Sequence, residues 1–162
     1  MPRTLRILLL ILPLVAVLAA QPKKYDGPRP PKPDVPYLVL ADKLVSTEVI
    51  EAKEETRKDE TNYSIPGASS TARTPLAEPI FILQTAKLSP DELQCYRLEV
   101  RNGNRQVGFN KKKRRDSSRP LRFLVTKLDD NLYKLEANQE LENGEYSLSP
   151  NGSNQVFCFQ IY

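Results

Sequence analysis

Four groups of residues have types and spacings that bear on chemistry: Cys95 and Cys158, the basic run Lys111-Lys112-Lys113-Arg114-Arg115, the adjacent Ser69 and Ser70, and the Asn-x-Ser triplets at 62–64 and 151–153. The chain contains no histidine. That excludes His-based triads, His general bases and His metal sites. Two cysteines are too few for a Cys-rich zinc or iron–sulfur centre in one chain. Chemistry would have to rest on carboxylates, a Ser/Lys pair or Tyr. Ser69 and Ser70 sit in SIPGASSTARTPLAEP, which has no G-x-S-x-G elbow. A His-free Ser/Lys hydrolase is therefore the remote alternative to an ordinary loop that crosses between sheets. No catalytic residue, metal or cofactor is expected.

The first twenty residues set the compartment. Arg3 and Arg6 form a basic start, and Ile7 to Ala20 is apolar throughout apart from Pro13. This is the pattern of a secretory signal peptide, with cleavage expected before Gln21. The run is shorter than the roughly 20 residues that cross a bilayer, and no later run is long enough. No Cys follows the cleavage point to carry a lipid. The mature chain is expected in the periplasm or outside the cell, with no transmembrane helix. Removing residues 1–20 takes two basic residues and lowers the net charge from +4 to +2. What remains is long enough for one domain with a core.

Residues 21–36 carry six of the fourteen prolines and read as an extended linker, the alternative being a Pro-rich ligand for an aromatic groove. From residue 37 to 162 short runs of β-formers alternate with turn signals, which predicts an all-β domain. Strands are expected near 37–41, 43–52, 61–66, 79–86, 94–101, 104–109, 121–127, 132–137, 145–149 and 155–161. Asn102-Gly103 suits a type I′ hairpin turn, and Asp129-Asp130-Asn131 marks another. The segment EVIEAKEETRKDETNYSI lacks an apolar face at helical spacing, so a long hairpin with a charged tip fits it better. One helical turn is expected at SPDEL, with Ser89 as side-chain cap, Pro90 at the first position and Glu92 completing a capping box.

The stretch LENGEY places Gly144 two residues before Tyr146 at a strand entrance. This is similar to the tyrosine corner of immunoglobulin-like sandwiches, in which the Tyr hydroxyl bonds back to upstream backbone. The resemblance implies an antiparallel Greek-key β-sandwich whose last two strands are 145–149 and 155–161, with Phe157, Phe159 and Ile161 facing the core. The immunoglobulin Cys and Trp pattern is absent. The segments PGASSTARTPLAEPIF, NGNRQV and LENGEYSLSPNGSNQVFCFQIY resemble a group of small secreted, envelope-associated proteins of Gram-negative soil bacteria that has no established activity. That resemblance implies location and fold and supplies no site residues.

Cys95 and Cys158 each alternate away from the apolar set of their own strand, Tyr96/Leu98/Val100 and Phe157/Phe159/Ile161. In an exported chain such placement leads us to expect a disulfide, the alternative being two buried thiols. A bond enclosing about 60 residues would stabilise by roughly 4 kcal/mol through loop-closure entropy. Lys111, Lys112, Lys113, Arg114 and Arg115, with Arg119 and Arg122 nearby, form either a solvated loop or a patch for anionic envelope polymers. No aromatics interleave to stack on bases, so no nucleic-acid partner is expected. The two Asn-x-Ser triplets bear on glycosylation only in a eukaryotic secretory pathway. The leading expectation is a non-enzymatic β-sandwich module of the cell envelope with a binding or structural role, its partner an envelope protein or an anionic envelope polymer. The alternative is a small outer-membrane β-barrel, against which the short strands and frequent prolines weigh.

Overall fold

The computed structural model describes residues 25–112 and 118–162. The expected signal peptide lies outside the described residues, as do residues 21–24 and the Lys113, Arg114 and Arg115 portion of the basic run. The described residues are all-β apart from one short 3₁₀ turn, Pro90–Glu92. The strands are β1 (Pro36–Leu40), β2 (Lys43–Ser46), β3 (Glu48–Glu51), β4 (Lys53–Arg57), β5 (Glu60–Pro66), β6 (Arg73–Thr74), β7 (Ile80–Gln84), β8 (Leu93–Arg101), β9 (Asn104–Asn110), β10 (Phe123–Asp129), β11 (Leu132–Ala137), β12 (Gly144–Pro150) and β13 (Gln155–Ile161). None of the described helices is long and apolar enough to cross a membrane.

Local turn chemistry sets the hairpins. Asn102 and Gly103 take φ of 50° and 75° between β8 and β9, the paired positive values that a type I′ turn requires. Lys58 (φ 53°) turns the charged hairpin β4–β5, and Asn131 (φ 56°) turns β10–β11. At SPDEL the expected side-chain cap does not form. The Ser89 carbonyl instead accepts the Glu92 N–H at 3.1 Å, so backbone alone closes this single turn.

Two sheets result. One has the order β10-β11-β7-β1-β2 and is antiparallel throughout. The other runs β3-β13-β12-β8-β9-β5-β4, with β6 added parallel to the end of β13. Leu38, Phe81, Leu83 and Leu135 of the first sheet share a buried cluster with Cys95, Tyr146, Leu148, Phe157, Phe159 and Ile161 of the second. The sheets thus pack face to face through one core.

The expected strand 43–52 is broken in two. Thr47, buried at the break, donates both its N–H (3.2 Å) and its hydroxyl (2.8 Å) to the Pro36 carbonyl, and the chain steps from the first sheet to the second. A second break at buried Ala52 separates β3 from β4. β3 pairs with β13 and β4 with β5, so the two ends of the larger sheet belong to one bent run. The Ala52 N–H still bonds the Asn154 carbonyl beside β13 (2.8 Å). The larger sheet therefore curls into a ring, and its inner face encloses a second buried cluster of Ala52, Ile65, Leu98, Val107, Val156 and Cys158.

The proline-rich lead-in is tied to the domain. Asp34 donates its N–H to the Gln84 carbonyl (2.7 Å), and its Oδ1 accepts the N–H groups of Ala86 (2.8 Å), Lys87 (3.0 Å) and Leu88 (2.9 Å). Partial burial alone would raise the Asp34 pKa, but these three bonds and the Lys87 charge hold it below the ordinary carboxylate value. A carboxyl depressed by folding contributes stability above its unfolded pKa of about 4 and loses it as pH falls through the folded value. Asp34→Ala is expected to cost about 1–2 kcal/mol at pH 7. The gap from wild type should close in urea melts below about pH 4; a pH-independent gap would show that the carboxylate charge is not what matters.

Candidate functional site

Two clusters occupy opposite ends of the ring interior. At one end stands Arg105 on β9, whose side chain is 0% exposed. Its guanidinium forms a bidentate pair with Glu48 of β3, Nη1 to Oε2 at 2.8 Å and Nη2 to Oε1 at 2.9 Å. Nη1 also donates to Ser70 Oγ (2.7 Å), Nη2 to the Pro66 carbonyl (2.9 Å) and Nε to the Gly67 carbonyl (3.0 Å). All five N–H donors are thereby used. Buried Glu145 of β12 accepts the hydroxyl (2.5 Å) and N–H (3.0 Å) of Ser70 through Oε2 and lies 3.9 Å from Arg105. Its Oε1 has no partner among the described residues. Ser70, read from sequence as a remote nucleophile, is thus held between Arg105 and Glu145, while Ser69 bonds Gln160 (3.1 Å).

At the other end the ring opens into a cavity of about 500 Å³. The register brings Thr61, Tyr63 and Ile65 of β5 opposite Phe109, Val107 and Arg105 of β9, so alternate side chains of these strands face inward together. Phe109 meets Tyr63 (centroids 5.9 Å, 77°) and Tyr96 (5.2 Å, 85°) edge to face. Ala52, Ile65, Val107 and Val156 supply aliphatic lining. Gln94, Ser147, Ser149 and the 151–154 turn supply polar groups, and Glu54 and Lys111 one charge of each sign. Tyr96 donates its hydroxyl to Gln94 Oε1, and the Ser147 and Ser149 hydroxyls lie 3.2 Å apart. Burial raises the pKa of both Tyr63 and Tyr96, so their hydroxyls stay protonated.

The residues singled out from sequence are scattered around this interior. Lys111 lines the cavity, its N–H bonding the Asp59 carbonyl at 2.8 Å. Lys112 is exposed and pairs with Asp59 (2.7 Å), and Arg119 and Arg122 are exposed. Asn62 and Asn151 are both exposed. The Tyr146 hydroxyl donates to the Glu142 carbonyl four residues upstream (2.7 Å).

The expected disulfide is overturned. Cys95 and Cys158 are both free and buried. They flank β12 on either side, Cys95 opposite Leu148 and Cys158 opposite Ser147, so adjacent β12 residues of opposite facing set their directions. Cys95 points into the core between the sheets and Cys158 into the ring. Two strand spacings, about 9–10 Å, also exceed the Cα separation that a disulfide spans. The Cys158 thiol is pushed up to about 12, chiefly by burial, with Arg105 opposing and Glu48 and Glu145 adding to the shift. Burial likewise pushes the Cys95 thiol up. The native chain should resist iodoacetamide at pH 8, where thiolate is scarce. Denatured without reductant it should take two labels by mass, and an unlabelled denatured chain would restore the disulfide.

Cavity residues Tyr63, Tyr96, Phe109, Gln94, Ser147 and Ser149 were not legible as a site. Alternation puts Gln94/Tyr96/Leu98 on one side of β8 and Val107/Phe109 on one side of β9. That these sides converge with β5 depends on the curl of the sheet. Comparison with protein-family models, curated proteins and solved structures gives no match.

Proposed function

We propose that this chain is an exported, non-enzymatic immunoglobulin-like sandwich, periplasmic or extracellular, that works by binding a component of the cell envelope. The orders β10-β11-β7-β1 and β13-β12-β8-β9 correspond to D-E-B-A and G-F-C-C′ of that fold, with β2–β6 as an insertion. The Tyr146–Glu142 bond at the start of the penultimate strand agrees with that assignment. The observation that carries the binding reading is the cavity itself: it has the size and the mixed apolar and polar lining of ligand sites. Its rim includes Lys111, where the basic run begins, so an anionic envelope polymer drawn to the run would be delivered to the cavity mouth.

Sedimentation with isolated envelope fragments tests this. The full chain should co-sediment, less at high salt, and the cavity-filling variant Ser149→Trp should stay in the supernatant with its thermal midpoint unchanged. Equal retention of the two, or none for either, overturns the reading.

A further inference from the structure

We infer that the cavity beside the 151–154 turn takes a neutral sugar unit of such a polymer, an inference that rests on the cavity being the binding site. The lining carries one carboxylate, Glu54, and one ammonium, Lys111, so its charges cancel and it selects for neither a cation nor an anion. Recognition falls to neutral groups. Gln94 accepts the Tyr96 hydroxyl with its oxygen, which leaves its amide N–H groups without a partner among the described residues. Ser147 and Ser149 satisfy one another with a single bond, which leaves one hydroxyl proton to donate. An ordinary apolar ligand would strand these groups away from water at a cost in binding. A sugar hydroxyl both donates and accepts, and so matches an amide N–H and a serine pair alike.

The aromatic wall fits the other half of a sugar. Tyr63, Tyr96 and Phe109 meet edge to face, so each contact covers at most one face of one ring and no ring is sandwiched by a parallel stack among them. A face left uncovered in this wall suits the C–H groups of a pyranose. All three are half-buried, packed from behind on the Ile65, Leu98 and Val107 cluster, which fixes the wall before a ligand arrives.

Calorimetric titration of the full chain tests the assignment, with glucose, galactose, N-acetylglucosamine, maltose, cellobiose and chitobiose as probes and choline and decanoate as comparisons. At least one neutral saccharide should bind. Gln94→Ala should weaken it about tenfold, the loss of roughly one hydrogen bond, and Ser149→Trp, which fills the cavity, should abolish it. Unchanged thermal midpoints would show that both variants fold. Saccharide binding that ignores both substitutions overturns the inference, as does binding of choline or decanoate alone or of no probe. If saccharides fail while Ser149→Trp still releases the chain from envelope fragments, the sugar assignment falls and the binding cavity stands. If both fail, the cavity is not the site.

Discussion

Replacing Arg105 by alanine is expected to destabilise the chain by about 3–5 kcal/mol, the range for breaking a buried ion pair from one side. The physical cause is less the loss of attraction than what remains behind. Glu48 would lose both bonds of its bidentate pair, and Glu145 its nearest cation. The Pro66 and Gly67 carbonyls and Ser70 would lose a donor each. Arg105→Lys should recover little, because three donors on a point cannot replace five in a planar fork. Replacing the whole set, with Arg105→Met, Glu48→Leu and Glu145→Leu together, should cost less than Arg105→Ala alone, since no charge is left unpaired. It should not be neutral, since the Ser70 N–H and hydroxyl and the Thr71 N–H lose their carboxylate acceptors. Urea midpoints at constant m-value measure all three. A cost below about 1 kcal/mol for Arg105→Ala would mean that water relieves the carboxylates and that this end of the ring is open.

The second large effect is at Phe159, also 0% exposed. Its ring lies 4.9 Å from Phe81 of the facing sheet and is stacked on Tyr146 at 5.4 Å. It therefore joins the two sheets and the two last strands at once. Phe159→Ala should cost about 3–5 kcal/mol through lost transfer energy and the cavity left between sheets that cannot collapse together. Tyr146→Phe, which keeps the stack and removes only the hydroxyl bond to Glu142, should cost about 1 kcal/mol. Chemical denaturation of the pair separates packing from hydrogen bonding. If Phe159→Ala cost no more than Tyr146→Phe, the packed core between the sheets would be the wrong account of stability.

The strands were legible because their causes are local. Alternating β-formers and turn residues such as Asn102-Gly103 act within a few positions, and the expected segments differ from the observed ones mainly where side chains from afar intervene. Thr47 divides the run 43–52 by bonding Pro36, eleven residues away. Nothing in the run itself marks that partner. Arg105, Glu145 and Glu48 were invisible for a related reason: a charged residue in a strand reads as facing solvent, and only the ring closure brings three of them together away from it.

The cysteines show most sharply what sequence by itself determines. It fixed which residues of a strand share a side: Phe157, Phe159 and Ile161 do face the core together, with Cys158 opposite. It could not fix which side of the sheet that is. The larger sheet is apolar on both faces, one packed on the five-stranded sheet and one on its own curled interior, so alternation within a strand has no common origin between strands. Tyr96/Leu98 and Phe157/Phe159 are the apolar sets of their strands and lie on opposite faces. The register through β12 alone supplies that sign. It sends Cys95 and Cys158 apart, while the pairing of β8 with β9 and of β9 with β5, in a sheet that curls, gathers Tyr63, Tyr96 and Phe109 around one cavity.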